Sequence, residues 1–133
     1  MYKIESMLYG YKLTFGGFIQ AAEMRQWVKE AETALASQRG SFGVIVDMRT
    51  LKPLPRDAQE VMESGQKQFK MKGMQRSAVV LENAITTAQF KRIAQESGIY
   101  QWERYFDASK SPDWERKAVE WVRNAADPDV KAA

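Results

Sequence analysis

The sequence predicts an α/β fold. The expectation is a single small domain with a mixed, mostly parallel five-stranded sheet and four helices in the order ββαβαβαβα. Three observations carry it. The stretches "FGVIVDM" (42–48) and "RSAVVLE" (76–82) are continuous apolar runs rich in valine, the pattern of strands covered on both faces. Segments whose apolar residues recur at helical spacing lie before, between and after them. Three strand–helix–strand units then follow one another, and such crossovers join parallel neighbours.

The chain opens on "YKIESMLYGYKLTFGG", which mixes apolar and polar positions with a period near two. Two short strands meeting at a bend near Gly10 account for it, with the first strand antiparallel at a sheet edge. Gly16 and Gly17 end the pattern. From Gln20 to about Ser37 the period becomes helical, with Met24, Trp27, Val28, Ala31 and Leu35 on one stripe. Arg39 and Gly40 mark its end. The strand 42–48 is followed by a loop, "RTLKPLPR", and a helix. Asp57 with Glu60 three residues on predicts a capping box for that helix. Its inner face would carry Ala58, Val61, Met62 and Phe69, with Gly65 allowing close approach to a sheet.

After the strand 76–82, "AITTAQFKRIAQESG" predicts a helix with Ile85, Phe90, Ile93 and Ala94 inward and a terminal glycine. "WERYFD" alternates and predicts a strand near one edge. Ser111 as N-cap, Pro112 at the first helical position and Asp113 and Glu115 in the first turn announce the last helix. Trp114, Ala118, Trp121, Val122 and Ala125 form its apolar stripe. The domain is expected to span 1–126, and "DPDVKAA" (127–133) to be a flexible tail.

The composition narrows the chemistry. At 133 residues, 44% hydrophobic and 28% charged, the chain suits one globular domain with a real core. It has no cysteine and no histidine. That removes a disulfide framework, a thiol nucleophile, a zinc site of the usual donors and a Ser-His-Asp triad. A formal charge of +3, from 20 basic and 17 acidic residues of interspersed sign, falls short of a nucleic-acid footprint. No secretion signal or membrane-length apolar run is apparent, so a cytoplasmic protein without integral membrane association is expected.

Particular residues suggest chemistry and then fail to complete it. Asp47 after an apolar run, with Lys110 after the fifth strand, has the look of a phosphoacceptor site. Such a site needs a further acidic pair to hold magnesium, and the early strands end on "FGG". A strand-end aspartate that caps its loop or pairs with a nearby arginine accounts for Asp47. "FGGF" is no phosphate-binding glycine pattern, and a tight turn suffices for it. Lys67, Lys70, Lys72 and Arg76 gather near a helix end, where cations complement the dipole. No catalytic, cofactor-binding or metal-binding residue is expected.

In element order, and in "GVIVDMRTL" and "WERYFDASKSPDWERKAVEWV", the chain resembles the SpoIIAA-like group of the STAS superfamily over roughly residues 2 to 124. The resemblance implies a small mixed sheet backed by helices and a non-catalytic role in binding. It also implies a phosphorylatable serine where the second long helix begins, but here the region reads "LPRDAQE" and has none. Arg49, Lys52, Arg56 and Asp57, on the loop after the third strand, are the expected surface for a protein partner or a second copy in a homodimer. The alternative is a carrier or sensor of an apolar, lipid-like ligand walled by methionine and aromatic side chains. A small carboxylate-dependent hydrolase or isomerase is the third reading.

Overall fold

The computed structural model describes residues 1–130. Its elements are β1 (Tyr2–Met7), β2 (Gly10–Gly17), α1 (Ala21–Leu35), β3 (Phe42–Leu51), α2 (Arg56–Met71), β4 (Met74–Leu81), α3 (Ala84–Ser97), a 3₁₀ turn (Tyr100–Trp102), β5 (Glu103–Asp107) and α4 (Trp114–Asn124). They form one small α/β domain. The strands lie in chain order, with β1 antiparallel to β2 and the β2–β3, β3–β4 and β4–β5 pairings parallel. The sheet is therefore mixed, and the 3₁₀ turn adds an element that the expected order lacked.

Side chains alternate across the sheet and so build two cores. Leu13, Phe15, Val44, Val46, Met48 and Val79 face α1, α2 and α3. Ile45, Ala78, Val80 and Phe106 face α4, against Trp114, Ala118, Trp121 and Val122. This explains why β3 and β4 are nearly continuous apolar runs. Trp27 centres the larger core at 1% exposure, edge-on to Phe15 (5.1 Å) and stacked on Phe69 (5.8 Å). Gly65 opens the space for it. A Cβ there would meet the Trp27 ring at 2.2 Å, so this glycine serves a helix–helix contact and not the expected helix–sheet one.

The structure corrects several boundaries. β3 runs on through Arg49 to Leu51, so Asp47 sits within the strand and the loop shrinks to residues 52–55. The expected capping box at Asp57 does not form. The Pro55 carbonyl already accepts the Gln59 N–H (3.0 Å), which starts the helical ladder before Asp57; Asp57 then lies in the first turn and accepts from the Ala58 N–H (2.9 Å). Likewise the Asp113 carbonyl takes the Lys117 N–H (3.2 Å), making Asp113 the N-cap of α4 and leaving Ser111 and Pro112 in the preceding turn. Asn83 does cap α3, accepting from the Thr86 N–H (2.9 Å), and Gly98 ends that helix at φ 90°. Ile85 points outward, because the buried stripe of α3 begins at Thr86.

Part of the tail is held. Asp127 makes a two-point pair with Arg104 (both 2.9 Å), whose guanidinium lies 4.2 Å over the Trp121 ring. Lys131, Ala132 and Ala133 of the expected tail fall outside the described residues. The Arg104 hydrogen bond, with the Asp129 N–H, lowers the Asp127 carboxyl to about 2. A depressed carboxyl lends stability that is present above its ordinary range and is lost as pH falls through the folded value. Asp127→Asn should therefore lower the melting temperature slightly at neutral pH. The difference from the parent should shrink in molar salt and vanish near pH 2; melting curves over salt and pH test this.

Candidate functional site

The three loops that leave the carboxyl ends of β2, β3 and β4 lie side by side and form one rim. They are tied together. The Lys52 N–H donates to the Gly17 carbonyl (3.0 Å), joining the first loop to the second. The Gln89 side chain of α3 accepts from the Leu54 N–H (2.8 Å) and donates to the Leu54 carbonyl (3.1 Å), joining the second loop to the helix that follows the third. The Thr86 hydroxyl reaches the Leu51 carbonyl (3.4 Å). Leu51 and Leu54 are buried and pull this short loop onto the core, so Lys52 is turned outward.

Two large apolar side chains stand out from the rim. Phe18, on the first loop, is 76% exposed and Ile85, in the first turn of α3, is 63% exposed. β2 and β4 lie two strand spacings apart, about 10 Å, with Lys52 and Pro53 between them. The sequence reading missed both residues. In the sequence a tight turn suffices for "FGGF", and helical spacing from Ala84 puts Ile85 inward. Starting the helical count at Thr86, through Phe90, Ile93, Ala94 and Ser97, would have turned Ile85 out.

The four expected surface residues do not form one patch. Arg49 points to the α4 side of the sheet, paired through two points with Asp47 (3.0 and 2.8 Å) and 5.0 Å over the Trp114 ring. Burial pushes the Asp47 carboxyl up, but the Arg49 hydrogen bonds and charge outweigh it and leave the group below its ordinary value. Lys52 stands on the rim crest. Arg56 borders the α2–α3 groove with Glu63, Arg92 and Glu96. Asp57 borders the α1–α2 groove with Arg25 and Lys29.

A second polar cluster lies inside the domain. Glu103 is buried and accepts hydrogen bonds from Ser77 Oγ (2.8 Å) and Tyr105 Oη (2.5 Å). Burial raises its carboxyl to about 7, against the smaller downward pull of these two donors. With Gln66 and Ser77 it lines one end of a core cavity of about 30 Å³ whose other walls include Trp27, Met62 and Phe69. That is room for about one water. It is far too small for a lipid-like ligand.

Compared with protein-family models, curated proteins and solved structures, the chain matches none. Among the described residues no helix is long and apolar enough to cross a membrane, and no three or more metal-ligating side chains are grouped to hold an ion.

Proposed function

We propose that this chain is a non-catalytic interaction module of the STAS-like kind its element order resembles, and that it docks a protein partner on the carboxyl-end rim. One observation carries the reading: Phe18 and Ile85 are both exposed on this rim. Phe18 is next to Gly17, whose carbonyl accepts the Lys52 N–H, and Ile85 is in the first turn of α3, where the neighbouring Thr86 hydroxyl donates to the Leu51 carbonyl. A large apolar side chain left in water forgoes about 2 kcal/mol of burial, which a partner would recover. Two such side chains on one rim are within the span of a single partner, and exposed apolar surface that recurs at one place is what interaction sites present. Lys52, between the two, adds a charge that an acidic group of the partner would meet. Arg56 and Asp57 flank it at the start of α2.

The reading is tested by placing a photoreactive amino acid at Phe18, at Ile85 and, as a control at the opposite end of the sheet, at Met71. The first two positions should yield the same discrete protein adduct in cells, and Lys52→Glu should diminish it. No adduct, or an equal one from Met71, overturns the reading. Phe18→Ser with Ile85→Ser should leave stability within about 0.5 kcal/mol, since neither side chain is buried.

A further inference from the structure

The free edge of β1, at one side of the sheet, carries an inference that does not depend on the rim. The sheet order ends at β1, which among the described residues pairs only with β2. Edge strands are normally blunted by proline, a bulge or charged side chains, lysine above all, and charges deter pairing with a second copy where like falls opposite like. β1 has no proline and pairs with β2 without a register shift. Its charges, Lys3 and Glu5, are of opposite sign.

The backbone fixes which groups the edge offers. Met1 and Gly16 exchange both hydrogen bonds, each 2.9 Å, so they are a hydrogen-bonded pair of the β1–β2 ladder. Such pairs alternate along an antiparallel ladder. Lys3, Glu5 and Met7 therefore bond to β2, opposite Thr14, Lys12 and Gly10. Tyr2, Ile4 and Ser6 direct their N–H and C=O groups away from the sheet, along the open edge.

We propose that the protein pairs with a second copy of itself through this edge, β1 against β1, antiparallel, with Ile4 opposite Ile4 of the second copy. Only registers that set outward-bonding residues opposite one another can form a ladder. Three of these are central. With Tyr2 opposite Ile4, Lys3 meets Lys3; with Ile4 opposite Ser6, Glu5 meets Glu5. With Ile4 opposite itself, Lys3 meets Glu5 twice, once on each side of the two-fold axis. These Lys–Glu positions are non-hydrogen-bonded pairs, whose Cα atoms approach to about 4.5 Å and bring the side chains closest.

The same register suits both faces. On the helix side it joins Leu13 and half-buried Ile4 of one copy to Ile4 and Leu13 of the other, a continuous apolar row. On the other side Lys12, Glu5 and the second copy's Lys3 follow in alternating sign. The Ile4–Ile4 pair and the two Tyr2–Ser6 pairs supply about six backbone hydrogen bonds. The result is one ten-stranded sheet through the pair, with a closed, isologous two-fold contact.

Sedimentation across a concentration series, with site-specific cross-linking, tests the register. The parent should be a dimer. Glu5→Lys or Lys3→Glu alone should weaken it about tenfold or more, because two attractive pairs become repulsive; Lys3→Glu with Glu5→Lys should restore it. Because the chain has no cysteine, Lys3→Cys and Glu5→Cys chains can be mixed and oxidised. They should form a disulfide with each other in preference to their own kind. If a charge variant alone proves unfolded by circular dichroism, the double exchange and the cysteine mixture still decide. A monomer at every concentration, a dimer indifferent to the charge changes, or cross-linking of Lys3→Cys chains to themselves overturns the proposal.

Discussion

Gly65→Ala is expected to destabilise the protein by about 1–2 kcal/mol net, against the gain that the same change gives in most helices. Within a helix, alanine is favoured over glycine by about 1 kcal/mol. Here the added Cβ would stand 2.2 and 2.6 Å from two atoms of the Trp27 ring. Trp27 has little room to retreat, since Phe15 meets it edge-on and Phe69 stacks on its face. Its indole N–H has no hydrogen-bond partner among the described residues, so packing sets its position. Overpacking of this kind typically costs 1–3 kcal/mol, by forcing side chains off their rotamers or helices apart. Urea titration of Gly65→Ala measures the loss. Coupling to a smaller residue identifies its cause: with Trp27→Leu already present, Gly65→Ala should cost much less. An alanine variant as stable as the parent would mean that α1 and α2 lie farther apart than the structure has them.

Stability should fall as pH rises from about 4.5 to about 7, and Glu103 is the group responsible. Its carboxyl is raised from an ordinary 4.5 to about 7 by burial, with Ser77 and Tyr105 as its hydrogen-bond donors. Gln66 shares its cavity and Lys91 lies over the Tyr105 ring. The sign follows from the raised value. Below 4.5 the group is protonated in both states and costs nothing. Between the two values the unfolded chain loses its proton while the folded chain keeps it, so the unfolded state gains. Above 7 both are ionised and the loss levels off at roughly 3 kcal/mol. Asp47, Asp107, Asp113 and Asp127 are all lowered, so their contributions are complete before this window opens. Chemical unfolding at half-unit steps from pH 4 to 8 should show the decline in the parent and a flat profile in Glu103→Gln. Parallel profiles for the two proteins would remove Glu103 from the account.

Much of the architecture was legible because it rests on local patterns. Valine runs place β3 and β4 in the buried centre of the sheet, and the stripe of Met24, Trp27, Ala31 and Leu35 turns α1 onto it. The candidate rim was legible only in outline. The loop after β3 was found, but Arg49 proved to belong to the strand and to the opposite face, because the pairing of β3 with β2 continues to Leu51. Helix starts shifted for a similar reason: the first carbonyl to accept a ladder bond is set by how the preceding loop is anchored, as Leu54 is by Gln89.

The sequence by itself determined the number, kind and order of the main elements, since these follow from periodicity, apolar runs and turn residues close together in the chain. Only the tertiary structure decided which apolar side chains face water and which polar ones do not. The alternation of "ERYFD" puts Glu103 and Tyr105 on one face of β5, but nothing in those five residues says that α1–α3 cover that face. Phe18, Ile85 and the open edge of β1 are of the same kind. Exposure depends on what else in the chain comes to lie against a residue, and that is settled by contacts between segments far apart in sequence.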